Sequence, residues 1–321
     1  MRAVLRDGYG LPDVLRLEEI DKPELTDDGV LVKVRAASVN RADWYLLTGT
    51  PLVARATTGL LNPKEKRVGV DFAGTVEAVG KDVTELQPGD EVFGGRTGAF
   101  ADYVDVRVAV AKKPVHMTFE QAAAVPVAAL TALQGLRDKG QLQPGQKVLV
   151  NGASGGVGTF AVQVAKAMGA EVTGVCNTRN VDLVGSLGAD HVIDYTREDF
   201  TRSGLRYDLL FDVAGSKSWS ACKRVLTGDA TVVVVGAPKG SRLLGPVSHL
   251  VKTRLASLPS SQTVKNFLAR VNKEDLEVVR ELIEQRKLTA AIDRTYDLTE
   301  TAGALRYMGE GHARAKIVIT V

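Results

Sequence analysis

The chain has 321 residues, 45% hydrophobic and 25% charged, and its 41 Lys and Arg against 38 Asp and Glu leave a net charge of +3. That length predicts about two domains with ordinary cores, and so even a balance gives no electrostatic reason to expect a nucleic-acid or membrane partner. Its two cysteines, Cys176 and Cys222, cannot build a disulfide framework or a cysteine-rich zinc site. With no signal-like apolar run and no stretch of the ~20 residues a bilayer requires, a cytoplasmic chain is expected.

The first third reads as strands. "GVLVKVRAASV" (29–39) is valine-rich and partly alternating, and "VGVDFAGTVEAVG" (68–80) follows with glycines where strands bend. "LQPGDEVFG" (86–94) turns at Pro88 and Gly89 into a short strand, and "GAFADYVDV" (98–106) continues the pattern. Short strands between turns predict a compact β-rich module. Near residue 118 the style changes: "TFEQAAAVPVAALTALQGLRDKG" is alanine-rich and predicts a helix opening at Thr118, with Glu120 and Gln121 behind it.

Strands and helices then alternate. "KVLVNG", "AEVTGVC", "DHVIDY", "YDLLFDVAG" and "ATVVVVGAP" read as strands, while "GTFAVQVAKAMG" and "VDLVGSLG" read as helices ending at Gly169 and Gly188. Such alternation implies a parallel sheet covered on both faces. After a loop-rich basic stretch from Lys239 to Arg254, "NKEDLEVVRELIEQRK" predicts a long amphipathic helix with Leu276, Val279, Leu282 and Ile283 on one face. The tail "HARAKIVITV" returns to strand character. The expected organisation is α/β, with a nucleotide-binding domain over 122–262 inserted between segments 1–121 and 263–321 of the β-rich domain.

Between the first strand and helix of the alternating region lies "VLVNGASGGVG" (148–158). Gly152, Gly155 and Gly158 are each three apart, unlike G-x-G-x-x-G, but the strand–loop–helix context is that of a dinucleotide site. Gly155 and Gly156 allow close backbone approach, Gly158 lets helix and strand pack, and the helix start offers N–H groups to a pyrophosphate. Ala153, Ser154, Gly155, Gly156 and Val157 are the expected contacts; a ligand-free tight turn is the competing reading. An NAD site usually places an acid ~20 residues beyond such a loop. Here "GVCNTRN" puts Asn177, Thr178 and Arg179 there, and Arg179 with Thr178 suits a 2′-phosphate. NADPH is the expected cofactor, against a reading of Arg179 as a solvated loop arginine.

"NGASGGVG", "AVQVAKAMGAEVTGV" and "SLGADHVIDY", with "SVNRADWYLLTG", "VGVDFAGTVEAVG", "PGDEVFG", "GAFADYV", "VPVAALTALQGL" and "GHARAKIVI", resemble the medium-chain dehydrogenase/reductase superfamily, specifically its zinc-independent quinone oxidoreductase branch. The resemblance runs nearly end to end. It implies a Rossmann doubly wound parallel sheet inserted into a β-rich GroES-like catalytic domain, with the cofactor in the cleft between them. It also implies that a metal ligand set is missing: zinc members carry a cysteine at Asn40, a His-Glu pair at Val70-Asp71 and a further ligand near Val127. The four histidines, His116, His191, His249 and His312, show no paired metal spacing.

Without a Lewis acid, the implied chemistry is hydride delivery to an already electrophilic acceptor, a quinone or an α,β-unsaturated carbonyl. By the resemblance, Asn40 donates an amide hydrogen bond to the acceptor oxygen and Tyr45 donates a hydrogen bond or proton; the ordinary alternatives are a capping asparagine and a packing tyrosine. Asp43 reads as a loop-holding residue and Trp44 as pocket wall or core. Thr131 resembles a threonine near the nicotinamide. Val213 and Ala214 in "FDVAG", and Gly236 and Ala237 in "VGAP", end parallel strands where ligands bind. Tyr195 is expected on the adenosine side and Lys316 beside the cofactor, with Ala315 where the family often has glycine. A homodimer is expected from the family. A zinc-free alcohol or aldehyde reductase and a non-catalytic NADPH-binding sensor or structural protein are the alternatives.

Overall fold

Strand β1 (Arg2–Arg6) pairs antiparallel with β2 (Leu15–Glu19). The valine-rich segment forms β3 (Val30–Val39), buried at nearly every residue as a central strand must be. Helix α1 (Arg41–Thr48) stops at Gly49 in the left-handed conformation, φ 59°, and a short α2 (Arg55–Thr58) follows. The other early strands are β4 (Asp71–Val79), β5 (Glu91–Gly95), β6 (Tyr103–Val106) and β7 (Val110–Lys112). The structure, a computed structural model, describes residues 1–236, 251, 253–258, 260–311 and 313–321. The predicted contact Ala237, most of the basic loop from Lys239, and His249 and His312 lie outside the described residues.

The alanine-rich run forms two helices where one was expected. Helix α3 (Phe119–Ala123) starts as predicted, its Thr118 hydroxyl accepting the Gln121 N–H at 3.2 Å, and α4 (Pro126–Gln134) starts at a proline. Proline donates no N–H to a preceding turn and drives the residue before it out of helical geometry, which separates the two.

The alternating region forms β8 (Lys147–Asn151), α5 (Gly156–Ala167), β9 (Glu171–Cys176), α6 (Val181–Ser186), β10 (His191–Asp194), β11 (Tyr207–Asp212), α7 (Trp219–Lys223), β12 (Leu226–Val234) and β13 (Thr263–Asn266). The six strands lie in the order β10-β9-β8-β11-β12-β13 with every pair parallel. This is the doubly wound order, whose reversal between β8 and β11 is where ligands bind. Leu149, Val175, Phe200, Leu210 and Val232 share one buried cluster.

The chain then returns through α8 (Lys273–Glu284), β14 (Ile292–Asp297), α9 (Thr301–Glu310) and β15 (Lys316–Thr320). Helix α8 is capped by Asn272, which accepts the Asp275 N–H at 2.8 Å, and buries Leu276, Val279 and Ile283 as its periodicity predicts. Strands β14-β15-β3-β4-β5-β7 form a sheet, with β6 also on β3. Pairing is antiparallel except between β14 and β15. Val30, Val32, Phe72, Val92 and Val104 fill the core beside it.

By its contacts the chain divides into a β-rich unit, Met1–Leu130 with Arg270–Val321, and an inserted nucleotide-type unit, Thr131–Ala269. The doubly wound sheet inserted into a β-rich domain is the predicted fold class. Among the described residues no helix is long and apolar enough to cross a membrane. Phe211 of β11 is fully buried, so Phe211→Ala is expected to cost about 3–5 kcal/mol of stability, read by urea unfolding.

Candidate active site

In the β-rich unit, strand register gathers four polar residues on one face. β15 pairs with β3 at Ile317–Val39, and β3 pairs with β4 at Ser38–Asp71. Lys316 and Asn40 stand one step beyond the first pair, and side chains two apart on a strand share a face. Lys316 Nζ donates to Asn40 Oδ1 at 2.6 Å and Asp71 Oδ2 at 3.4 Å. Asn40 Nδ2 and Ser38 Oγ also donate to Asp71 Oδ2, at 2.8 and 3.1 Å, and the Val127 N–H donates to Asp71 Oδ1 at 3.1 Å.

Water is excluded from this cluster: Lys316 is 2% exposed and Asp71 0%. Burial pushes the Lys316 ammonium below the ordinary lysine value, against the pull of Asp71 and Asp43. Asp43, in the first turn of α1, accepts the Asn40 backbone N–H at 2.7 Å and so holds the loop as expected. Its Oδ1 is buried without a hydrogen-bond partner. Burial, reinforced by Asp71, pushes the Asp43 carboxyl up to about 7. Tyr45, on the same helix, is half-buried under the Arg41 guanidinium, 5.8 Å from the ring centre. Trp44 lies against α9, where a Cβ on Gly309 would come within 2.3 Å of its ring.

In the nucleotide-type unit, the loop after β8 needs its glycines. Gly152 has φ +91°, and a Cβ on Gly158 would stand 2.0 Å from Gly152 O and 2.8 Å from Ala153 Cα. Helix α5 begins at Gly156, so its first N–H groups lack partners within the helix and face the loop's mouth. Ser154 accepts from Asn180 Nδ2 at 3.1 Å; Asn180 is 3% exposed, and its Oδ1 and that of Asn177 are buried with no hydrogen-bond partner. A dinucleotide fits this loop: a close backbone approach, a helix start and unmet acceptors.

The ends of β8 and β11 are clamped together. Asn151 Nδ2 donates to Asp212 Oδ1 at 2.8 Å, Gly215 N–H donates to the same oxygen at 2.8 Å, and the Val213 and Ala214 N–H groups donate to Asn151 O at 2.9 and 3.2 Å. Gly236 N–H continues the series to Asp212 O at 3.2 Å. Thr131 is buried in α4, while Thr178, Arg179 and Tyr195 are exposed at the ends of β9 and β10. Both thiols are buried, Cys176 pushed up to about 11 and Cys222 to about 12, so neither is a nucleophile near neutral pH.

Two family descriptions match: "Alcohol dehydrogenase GroES-like domain" over residues 26–116 and "Zinc-binding dehydrogenase" over 187–319. The chain is similar to the chloroplastic quinone-oxidoreductase QR1 of Triphysaria versicolor, 34% identical over 341 residues that cover 99% of this chain and 98% of the relative. The chain belongs to the medium-chain dehydrogenase/reductase superfamily, in its quinone oxidoreductase branch. It is also similar to the chloroplastic NADPH-dependent alkenal/one oxidoreductase of Arabidopsis thaliana, at 32% identity over 99% of this chain and 79% of the relative. Among solved structures, the quinone oxidoreductase of Coxiella burnetii superposes with a TM-score of 0.86 at 29% identity, covering 100% and 99% of the two chains.

For a superfamily that includes zinc enzymes, the donor chemistry here is telling. The positions expected to bear metal ligands hold Asn40, Val70-Asp71 and Val127, and Lys316 Nζ donates to Asn40 and Asp71 there. Zinc takes nitrogen, sulfur or carboxylate donors in a tetrahedron; here the amide oxygen and the carboxylate already accept from N–H and O–H donors. These residues do not fit zinc, and among the described residues no group of three or more His, Cys, Asp or Glu is placed to hold a metal. Sequence reading placed Lys316 beside the cofactor; the structure buries its ammonium with Asn40 and Asp71. It missed Ser38 as a member of this cluster and Asp194 beside Thr178, whose only signal was a polar residue ending an apolar strand.

Removing the ammonium leaves Asp71 buried without its cation, so Lys316→Met is expected to cost about 3–5 kcal/mol in chemical denaturation, with much of it recovered on adding Asp71→Asn. Asp43 gives a pH signature. Its carboxyl titrates at about 7 in the folded chain against an ordinary value of 3.8, so the folded state binds the extra proton between them. The resulting stability is complete below about 4 and lost as pH rises toward about 7. The melting temperature of the chain relative to Asp43→Asn is expected to fall across that window and stay level above it.

Proposed function

We propose that this chain is a zinc-independent, NADPH-dependent reductase that transfers hydride to quinones or α,β-unsaturated carbonyl compounds. The observation that carries this reading is the buried Lys316–Asn40–Asp71 cluster, which puts the chain's own cation where a metal would otherwise be ligated. The quinone oxidoreductase and alkenal/one oxidoreductase names of its relatives support the substrate class. The glycine loop and the exposed Arg179 at the end of β9 support NADPH as the cofactor. In this reading segments 1–121 and 263–321 are catalytic and 122–262 binds the cofactor.

Bound there, a reduced nicotinamide supplies a hydride; at the β-carbon of an enone this drives an electron pair onto the carbonyl oxygen, and a proton completes the α-carbon. The chain's part is to meet that oxygen with donors. Asn40 Nδ2 spends one hydrogen on Asp71 and retains a second. Lys316, donating to Asn40 Oδ1, polarises the same amide and strengthens the remaining donor. The Tyr45 hydroxyl is the second donor and a source of the proton. Cysteine usage that suits a reducing compartment supports a cytoplasmic location, and the family resemblance supports a homodimer.

Purified chain is expected to oxidise NADPH with benzoquinone and with simple enones in the presence of a chelator. Absence of turnover across a panel of quinones, enones and aldehydes overturns the reading, and turnover of aldehydes alone overturns its substrate class. Asn40→Ala is expected to lower kcat on the order of 10²-fold while leaving the NADPH Kd in place, as for loss of a donor to a developing oxyanion.

A further inference from the structure

In a doubly wound fold, the acid that distinguishes ribose hydroxyls from a 2′-phosphate commonly ends the second strand. In this chain that strand, β9, ends in Cys176, Asn177 and Thr178 without one. The neighbouring strand supplies it. Asp194 ends β10 directly beside Cys176 in parallel register, and its carboxylate reaches the β9 terminus.

The hydrogen bonds there can be counted. Asp194 Oδ2 accepts from Thr178 Oγ1 at 2.6 Å, and Oδ1 accepts from Thr196 Oγ1 at 2.8 Å and Thr196 N at 3.0 Å. The two threonine oxygens lie 2.9 Å apart. A hydroxyl has one hydrogen, and both threonines spend theirs on Asp194, so they offer an incoming ligand only lone pairs. Asn177 Oδ1 nearby is another buried acceptor without a partner. Such a wall suits ribose hydroxyls, which donate, and opposes a phosphate, which only accepts. These hydrogen bonds, led by that from Thr178, hold the Asp194 carboxyl below the ordinary aspartate value, so it carries its charge at neutral pH. The cations at this edge are Arg179 and Arg197, the latter 3.6 Å from Asp194 Oδ2.

We propose that Asp194 sets the cofactor preference of this site: it withholds the Thr178 and Thr196 hydrogens from a 2′-phosphate and repels it, so that Arg179 holds NADPH against an opposing charge and NADH is also admitted. The inference rests on the reading of Arg179 as the 2′-phosphate ligand. In Asp194→Asn the charge is gone and the new amide can donate to Thr178 Oγ1, freeing that hydroxyl's hydrogen for the phosphate.

Fluorescence titration of the purified full chain with NADPH and with NADH tests it without any acceptor. Asp194→Asn is expected to tighten NADPH roughly tenfold, about 1.4 kcal/mol, with NADH changed by less than about twofold. An unchanged ratio of the two Kd values overturns the proposal. Thr178→Val guards against a disturbed turn: a Thr178 whose hydrogen is already spent leaves NADPH affinity within about twofold on removal, whereas a roughly tenfold weakening means that it donates to the phosphate and overturns the proposal. Arg179→Ala separates the two readings. If it leaves the NADPH-to-NADH ratio intact, the 2′-phosphate reading fails; if it collapses the ratio while Asp194→Asn does nothing, only the role of Asp194 fails.

Discussion

A lysine ammonium taken out of water costs several kcal/mol unless charge and acceptors meet it, and in this chain that requirement organises the β-rich unit. Lys316 lies five residues from the C-terminus, yet its partners are Asn40 and Asp71 near the other end. The cluster closes only if β15 pairs with β3 in one register and β3 with β4 in another. A slip of one residue along either strand would turn Lys316 or Asp71 to the opposite face. The same ion pair therefore fixes the register of the sheet and the position of the Asn40 amide.

The nucleotide-type unit meets a comparable constraint by different means. Its sheet is held by apolar burial, but the strand ends, where a ligand approaches, are polar and have to be ordered without that help. Asp212 does this for β8 and β11, collecting the Asn151 amide and the Gly215 N–H on one carboxylate oxygen. Asp194 does it for β9 and β10 through Thr178 and Thr196. Asp194 also lies 3.6 Å from the Arg197 guanidinium, so its charge at that edge is partly answered by a cation. Ordering the loops thus also sets the local potential, and a phosphate has to be accommodated by what remains.

How much of this was legible in the sequence follows from the range of each interaction. The glycine loop is local: strand, turn and helix start lie within a dozen residues, and the steric need at Gly158 involves atoms of Gly152 and Ala153. Helix α8 could be read from its period for the same reason. Strands β13 and β14 could not: "TVKN" and "IDRTYD" are short and polar, and become strands because a neighbour offers its edge. The break before Pro126 was visible as a proline but outweighed by the alanines around it. Asp194 was hidden because it serves β9 from β10; Lys316 was singled out by the resemblance, but its partners, 245 and 276 residues away, were not legible.

In the proposed zinc-independent reading, an ammonium in place of a metal changes what the site can ask of a substrate. A metal binds the reacting oxygen itself and draws charge from it directly. Lys316 is 2% exposed, and two of its hydrogens go to Asn40 and Asp71. Under the role proposed for Asn40, the ammonium's field reaches a substrate through that amide, as a stronger hydrogen bond. A hydrogen bond of that kind stabilises charge already spread over a conjugated oxygen better than it creates a localised alkoxide, whose basicity calls for a full positive charge or a proton in step with the hydride. The geometry of the cluster therefore favours acceptors that bring their own conjugation, and the same argument explains why the amide needs fixed support on both sides. Asp71 holds Nδ2 and Lys316 holds Oδ1, so the amide is fixed in one orientation.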